Sequence, residues 1–197
     1  LEKCLNSFEN LHGFEMKKGH PRLEVILVDN GSHDETIVTV RKQFPWVITR
    51  ELDTNLGFSG GNNVGIQMAH GDFIMLLNTD TEFLPGTNLL DLLKNFEDSD
   101  VGIVTPKVVL NTGEIDHACH RGFPTPWNAF CYFSGLSKAL PFIPLFSGYL
   151  QSWKDLNTVH EVDACTGAAM IVRSSALKKV GLLDESFFMY AEDIDWC

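Results

Sequence analysis

The sequence has no CxxC pair, no run of 18 apolar residues and few basic side chains. Each absence removes a class of protein. Without CxxC or any regular spacing, Cys4, Cys119, Cys131, Cys165 and Cys197 do not read as a zinc ribbon or a disulfide framework. Scattered reduced thiols of a cytosolic compartment are the expectation. Without a long apolar run no transmembrane helix is expected, and no signal-peptide pattern heads the chain. Fifteen Lys and Arg against 26 Asp and Glu leave a net charge of −11. That is the opposite of the basic surface a nucleic-acid binder needs. Also missing are G-x-G-x-x-G and G-x-x-x-x-G-K-[ST], which removes the usual dinucleotide fold and the P-loop. An acidic pocket still accepts a diphosphate when a cation sits between them.

What is present is an ordinary globular composition. The 197 residues are 44% hydrophobic and 21% charged, enough for one domain with a sizeable core. Phe73-Ile74-Met75-Leu76-Leu77 is an apolar run too short for a typical helix, and it runs into Asn78-Thr79-Asp80-Thr81. It reads as a strand buried on both faces. Ligands in open α/β sheets bind just beyond the carboxyl ends of strands, so Asp80 stands where a site would be. A carboxylate between two threonines suits a hard divalent cation carrying phosphate oxygens. The plain alternative is a turn, which Asn, Asp and Thr all favour.

Glu24 to Asp29 repeats the pattern: an apolar strand ending in a carboxylate, followed by the tight turn Asn30-Gly31-Ser32. Ser32 or Asp34 can cap a helix to about Phe44. Asp29 reads as a ribose or base contact at the strand end. Trp46 to Arg50 is a short strand. Asn55 to Gly65 then packs four glycines and three asparagines into eleven residues. It reads as a loop that lets backbone approach a ligand and feeds a helix N-terminus, a usual diphosphate cradle. Upstream, Leu1, Cys4, Leu5, Phe8 and Leu11 mark one face of a helix to about Phe14, with Gly13 as its stop and Lys17 to Pro21 as a polar connection.

Further on, Asn88 to Phe96 reads as a helix, Val101 to Thr105 as a buried strand and Lys107 to Leu110 as strand-like. Alternating strands and helices predict an α/β fold with a mostly parallel sheet. From residue 111 to 160 the pattern dissolves. Four of the eight prolines and two of the four tryptophans fall there, and it reads as a loop-rich insertion. Within it, Ala139 to Leu150 is apolar but broken by Pro141 and Pro144. A buried loop is the expectation, with a membrane contact or a greasy acceptor as the functional reading. His117, Cys119 and His120 form the start of a zinc set but lack a second ligand pair, so an acceptor pocket is the better reading. Thr166-Gly167-Ala168-Ala169 has little side-chain bulk and lets a ligand approach the backbone of the strand that follows. Ser174 or Ser175 caps a short helix. Glu192, Asp193 and Asp195 then put three carboxylates within four residues. They suit a helix N-terminus, and one of them suits a general base.

Taken together these stretches resemble the family 2 glycosyltransferases, inverting enzymes of the GT-A fold, and most closely their bacterial rhamnosyltransferase-like subgroup. Val28-Asp29-Asn30-Gly31-Ser32, Asn55 to Gly65, Leu77-Asn78-Thr79-Asp80-Thr81, Thr166 to Met170 and Phe187 to Asp195 stand in the family's order. The resemblance implies one GT-A-type domain over residues 1–197: a nucleotide-binding part (1–110), the insertion (111–160) and an acceptor and catalytic part (161–197). Asp29, with Asn30, Gly31 and Ser32, would meet the donor's base or ribose. Asn55, Gly57, Gly60, Asn62 and Asn63 would line the donor site, with Asn78 and Thr79 beside them. Asp80 would hold Mg²⁺ or Mn²⁺ on the diphosphate, Asn78 replacing the first Asp of the usual DxD. Asp193, or Glu192 next to it, would be the base, and Thr166 and Gly167 would lie against sugar or acceptor. The implied substrates are a nucleotide-diphosphate sugar, dTDP-rhamnose by subgroup, and a saccharide or lipid-linked acceptor at the inner face of a membrane. Family members open with a strand before the first helix and continue past the last acidic motif, so the resemblance predicts a chain clipped at both ends that binds donor weakly. The rival readings are a catalytically silent nucleotide-sugar or partner-binding domain and a sugar nucleotidyltransferase.

Overall fold

The computed structural model describes residues 1–12 and 23–197. Two hydrogen-bonded sheets carry the chain. In the first, β1 (Ile26–Asp29) pairs in parallel with β2 (Ile48–Glu51), with Ile26 beside Ile48 and Asp29 beside Glu51. Between them runs α2 (Thr36–Gln43), the crossover that a parallel pair requires. Its Val40 joins Leu5, Phe44 and Val47 in one buried cluster. Leu5 comes from α1 (Glu2–Ser7), whose predicted apolar face buries Cys4 and Leu5. The helix tightens into a 3₁₀ turn over Phe8–Asn10. Leu11 is extended, so the helix ends short of the expected Phe14; Gly13, Phe14 and the Lys17 to Pro21 connection lie outside the described residues.

The second sheet has the order β3 (Phe73–Leu77), β5 (Ala169–Arg173), β4 (Ile103–Val104). β5 runs antiparallel to both neighbours, pairing Phe73 with Arg173, Leu77 with Ala169 and Ile103 with Val172. β3 and β4 therefore point the same way. The α/β architecture with a parallel pair is as predicted, while the reversed middle strand is not. Met170, Val172 and Leu76 bury here with Ile66, Leu183 and Trp196. Lys107 to Leu110 forms no strand; Val109 makes a single bridge to Ile115 across a turn.

Three segments differ from their expected form. α3 (Gly57–Met68) begins inside the stretch read as a glycine loop, so the glycines are helical residues. Tertiary packing overrides their poor helix propensity. α4 (Leu89–Leu93) has Asn88 as its cap, the side chain accepting from Leu90 N–H at 3.1 Å, and passes into a 3₁₀ turn to Glu97. The region 111–160 holds α5 (Pro126–Phe133), α6 (Leu136–Ala139) and α7 (Pro144–Ser147). Its prolines are not loop breakers: Pro126 and Pro144 open helices, where a missing N–H costs nothing. The stretch expected to be a buried loop leaves Phe142, Ile143 and Leu145 exposed. After β5 comes α8 (Ser174–Val180), uncapped by either serine; Ser174 Oγ instead donates to Gly71 O at 2.6 Å. α9 (Glu192–Trp196) follows two residues, Tyr190 and Ala191, that both hold positive φ.

Candidate active site

Asp29 closes β1, and its Oδ1 accepts the Ser32 N–H at 3.2 Å, shaping the turn. Gly31 sits at φ +83°, and a Cβ there would lie 2.9 Å from the Thr54 carbonyl carbon. Asn30 staples the turn after β1 to the Asn55–Gly57 segment. Its Nδ2 donates to Asn55 Oδ1 (2.9 Å) and Gly57 O (2.8 Å), and its Oδ1 accepts from Leu56 N–H (2.8 Å). Asn55 Oδ1 also accepts from Gly57 N–H at 2.8 Å. Both asparagines therefore fix the backbone of residues 55–57 against the turn after β1.

The start of α3 is held against the acidic motif. Gly57 is at φ +76°, and a Cβ would meet Phe188 O at 2.3 Å. Phe58 N–H donates to Phe188 O (2.7 Å), and Ser59 Oγ to Phe187 O (2.8 Å). Three predicted donor contacts belong to this framework. Asn63 is 2% exposed; its Nδ2 donates to Leu183 O and Glu185 Oε1, both at 2.9 Å, and its Oδ1 accepts Leu183 N–H at 3.0 Å. With its amide spent inside the protein, Asn63 is a tie between α3 and the segment after α8, not a donor ligand. Asn62 Nδ2 donates to Phe58 O one turn back at 2.9 Å. Gly60 lies where a Cβ would come within 2.7 Å of Leu56 Cβ, so it is a packing glycine.

The segment after β3 is more open. Asn78 N–H donates to Ala168 O at 2.9 Å, extending the β3–β5 pairing by one step. Its carbonyl accepts Thr81 Oγ1 at 2.7 Å, which folds Thr79 and Asp80 outward. Both are exposed. They line a cavity of about 360 Å³ with Glu2, Lys3, Thr81 and Glu82. Beside Lys3 and Cys4, the lining offers the strand-end carboxylate of Asp80, threonine hydroxyls and further carboxylates, hard oxygens of the kind that fits Mg²⁺ or Mn²⁺ shared with a substrate diphosphate. Among the described residues no three His, Cys, Asp or Glu side chains converge to hold an ion without substrate.

Asp193 is placed by α9 against the 166–168 segment. Its Oδ2 accepts Gly167 N–H at 3.3 Å and pairs with an Arg121 Nη at 2.7 Å, both side chains 14% exposed. Gly167 is tight: a Cβ would lie 3.0 Å from the Phe58 ring and 3.8 Å from Asp193 Cβ. Thr166 is buried and its Oγ1 accepts Ala168 N–H at 3.2 Å, shaping the turn. Glu192 is 6% exposed, and its Oε2 has no partner among the described residues. Burial pushes its carboxyl above the usual carboxylate range. Arg121 was not singled out in the sequence. The signal was there: it is the sole arginine between Arg50 and Arg173. The zinc reading at its side does not hold. His120 Nε2 faces Gln151 O (3.1 Å) and its Nδ1 faces His160 Nε2 (2.9 Å), while Cys119 Sγ accepts Val108 N–H (3.4 Å).

The structure thus gathers four of the five motifs into one contact chain, from Asn30 through Gly57, Phe58 and Gly167 to Asp193. The Asp80 loop joins it through Ala168. Residues 1–180 match the pattern of Glycosyl transferase family 2. The chain belongs to that family. α9, with Glu192 and Asp193, follows the matched region. Among curated relatives, the low-salt glycan biosynthesis hexosyltransferase Agl10 of Haloferax volcanii is 28% identical over 88% of this chain and 52% of its own length. The N-acetylglucosaminyl-diphospho-decaprenol L-rhamnosyltransferase of Mycobacterium tuberculosis is 27% identical over 88% of this chain and 59% of its own. The chain thus spans about half the length of these relatives. Among solved structures, the mannosyltransferase PcManGT of Pyrobaculum calidifontis, in complex with GDP-Man and Mn²⁺, aligns with TM-score 0.60 at 18% identity, covering 99% of this chain and 46% of that one. TarS of S. aureus aligns with TM-score 0.60 at 19% identity, covering 99% and 30%. At these identities the likeness shows the GT-A fold of this family 2 domain.

Proposed function

We propose that this family 2 domain transfers a glycosyl group from a nucleotide-diphosphate sugar to a hydroxyl of a saccharide or lipid-linked acceptor, with inversion. The observation that carries the reading is the placement of Asp80 and Asp193. One follows β3 and the other contacts the segment that opens β5, so both emerge at the same end of the β3–β5 pair. A metal-side carboxylate and a base-side carboxylate at one sheet edge are what a single displacement needs.

Asp193 serves as the base. Arg121 and Gly167 N–H take its Oδ2, leaving Oδ1 to accept the acceptor's hydroxyl proton. A sugar hydroxyl is a poor nucleophile at neutral pH, and a positioned base corrects this. The oxygen then attacks the anomeric carbon, the bond to the diphosphate oxygen breaks, and its electrons leave on the diphosphate. Asp80 would hold Mg²⁺ or Mn²⁺, which when bound offsets charge on the leaving group. Glu192, buried and without a partner for Oε2, supports α9 and is the weaker candidate for base. The turn Asp29 to Ser32 and Asn55 frame the nucleotide. Rhamnosyltransferases among the relatives support dTDP-rhamnose as the first donor to test. A role in cell-surface polysaccharide synthesis, at the cytoplasmic face of a membrane, follows from that donor and acceptor.

Isothermal titration of UDP, dTDP and GDP with and without Mn²⁺, on the chain and on Asp80→Ala, tests the reading. Metal-dependent binding of one nucleotide, lost in the variant, is expected. No binding of any of them by a longer chain that includes this domain would overturn it.

A further inference from the structure

We propose that α5, α6 and α7 form a surface that docks onto a lipid bilayer beside the catalytic carboxylates. Trp127, Phe130 and Phe133 recur every three residues along α5, within an arc of about 120°. All three are exposed, Phe133 by 85%. Phe142 (80%), Ile143 and Leu145 are exposed on the α6–α7 side. The two groups form one surface: Trp127 Nε1–H donates to Leu145 O at 2.8 Å, and its ring lies 6.3 Å from that of Phe146. Single exposed apolar residues are normal, but six in this small unit make a patch that needs an occupant.

Charge identifies the occupant. From Phe123 to Trp153 the only charged side chain is Lys138, in a chain of net charge −11. Lys138 is exposed. The stretch therefore offers phosphate headgroups a cation and no carboxylate to repel them. Aromatic rings with a basic residue are the composition of the membrane–water interface. A polypeptide partner would instead be expected to meet a polar rim carrying charges around the apolar centre. Among the described residues no helix is long and apolar enough to cross a membrane, so the contact is peripheral.

The patch is tethered to the site. Gly122 N–H donates to Tyr149 O at 2.8 Å, and the preceding residue, Arg121, holds Asp193. An acceptor headgroup on a lipid would be presented beside the base. The proposal rests on the transferase reading only for its purpose, because docking is measured without donor or acceptor.

The test is co-sedimentation of the full chain with vesicles of phosphatidylethanolamine and phosphatidylglycerol. The wild-type chain is expected to sediment with them, with a blue shift of tryptophan emission. Phe133→Ser with Phe142→Ser should lower the partition coefficient about tenfold, since membrane affinity scales with buried apolar area. Lys138→Glu should weaken binding only where phosphatidylglycerol is present. Val159→Ser, at an exposed valine outside the patch, should change nothing. Asp80→Ala should keep vesicle binding while losing nucleotide, which separates failure of docking from failure of the transferase reading. No vesicle binding by the folded chain overturns the proposal. So does equal binding by the double variant, or a dimer that the double variant dissolves without any lipid effect.

Discussion

Arg121 and Asp193 meet at 2.7 Å across 72 residues of sequence, joining the helical insertion to the last acidic motif. Removing one partner of a largely buried pair strands the other. Arg121→Ala should cost about 3 kcal/mol in urea denaturation, and the double variant with Asp193→Asn should cost less than the sum of the two singles. In a transfer assay Arg121→Ala should lower kcat and leave nucleotide affinity unchanged. A loss of nucleotide affinity instead would move Arg121 to the donor side.

Glu192 gives a pH signature. Burial raises its carboxyl above the ordinary value. A raised carboxylic acid supports folding fully below its unfolded value and loses that support as pH rises through its folded one. Glu192→Gln should therefore raise Tm at neutral pH relative to wild type, with the gain vanishing near pH 4, about the unfolded value. A gain independent of pH would argue for a packing effect.

Asn63→Ala should destabilise the domain by about 3 kcal/mol, because the buried Leu183 N–H and C=O both lose their partner. Nucleotide affinity of the folded fraction should stay within error. A weakened affinity with unchanged stability would restore Asn63 to the donor site.

Gly57→Ala combines a left-handed backbone with a Cβ placed on Phe188 O. A cost of about 2 kcal/mol or more is expected, read as a fall in Tm of roughly 5 °C. Gly113→Ala, also at positive φ but with open space around it, should cost only the backbone share.

Much of this was legible because sheet strands write themselves as apolar runs, although β1 is only half-buried throughout and β3 fully buries Leu76 alone, short of the expected burial on both faces. Ile26 to Val28 and Phe73 to Leu77 read plainly, and so did the carboxylates that end them. The reversal of β5 did not: Ala169 to Arg173 looks the same in either direction, and its partners lie far away in sequence. α5 and α7 hid behind Pro126 and Pro144, whose breaking and starting roles differ only by position. The buried tie of Asn63 to Leu183 was not legible, because an amide that staples backbone and one that grips a substrate have the same composition. Arg121 stands out in the sequence only as the sole arginine between Arg50 and Arg173, and its partner Asp193 shows only in three dimensions.

The antiparallel middle strand has a mechanical consequence. β3 ends and β5 begins on the same rung, Leu77 beside Ala169, and Asn78 adds one more bond to Ala168. Asp80 therefore follows this common bar by three residues on one strand, and Gly167, which holds Asp193, precedes it by two on the other. Asp193 itself rides on α9, so the span between the two carboxylates depends on that rung together with the contacts of Asp193 to Gly167 and Arg121. The two carboxylates thus share one mechanical mount: shearing β3 against β5 would displace the Asp80 loop and the Gly167 seat of Asp193 together.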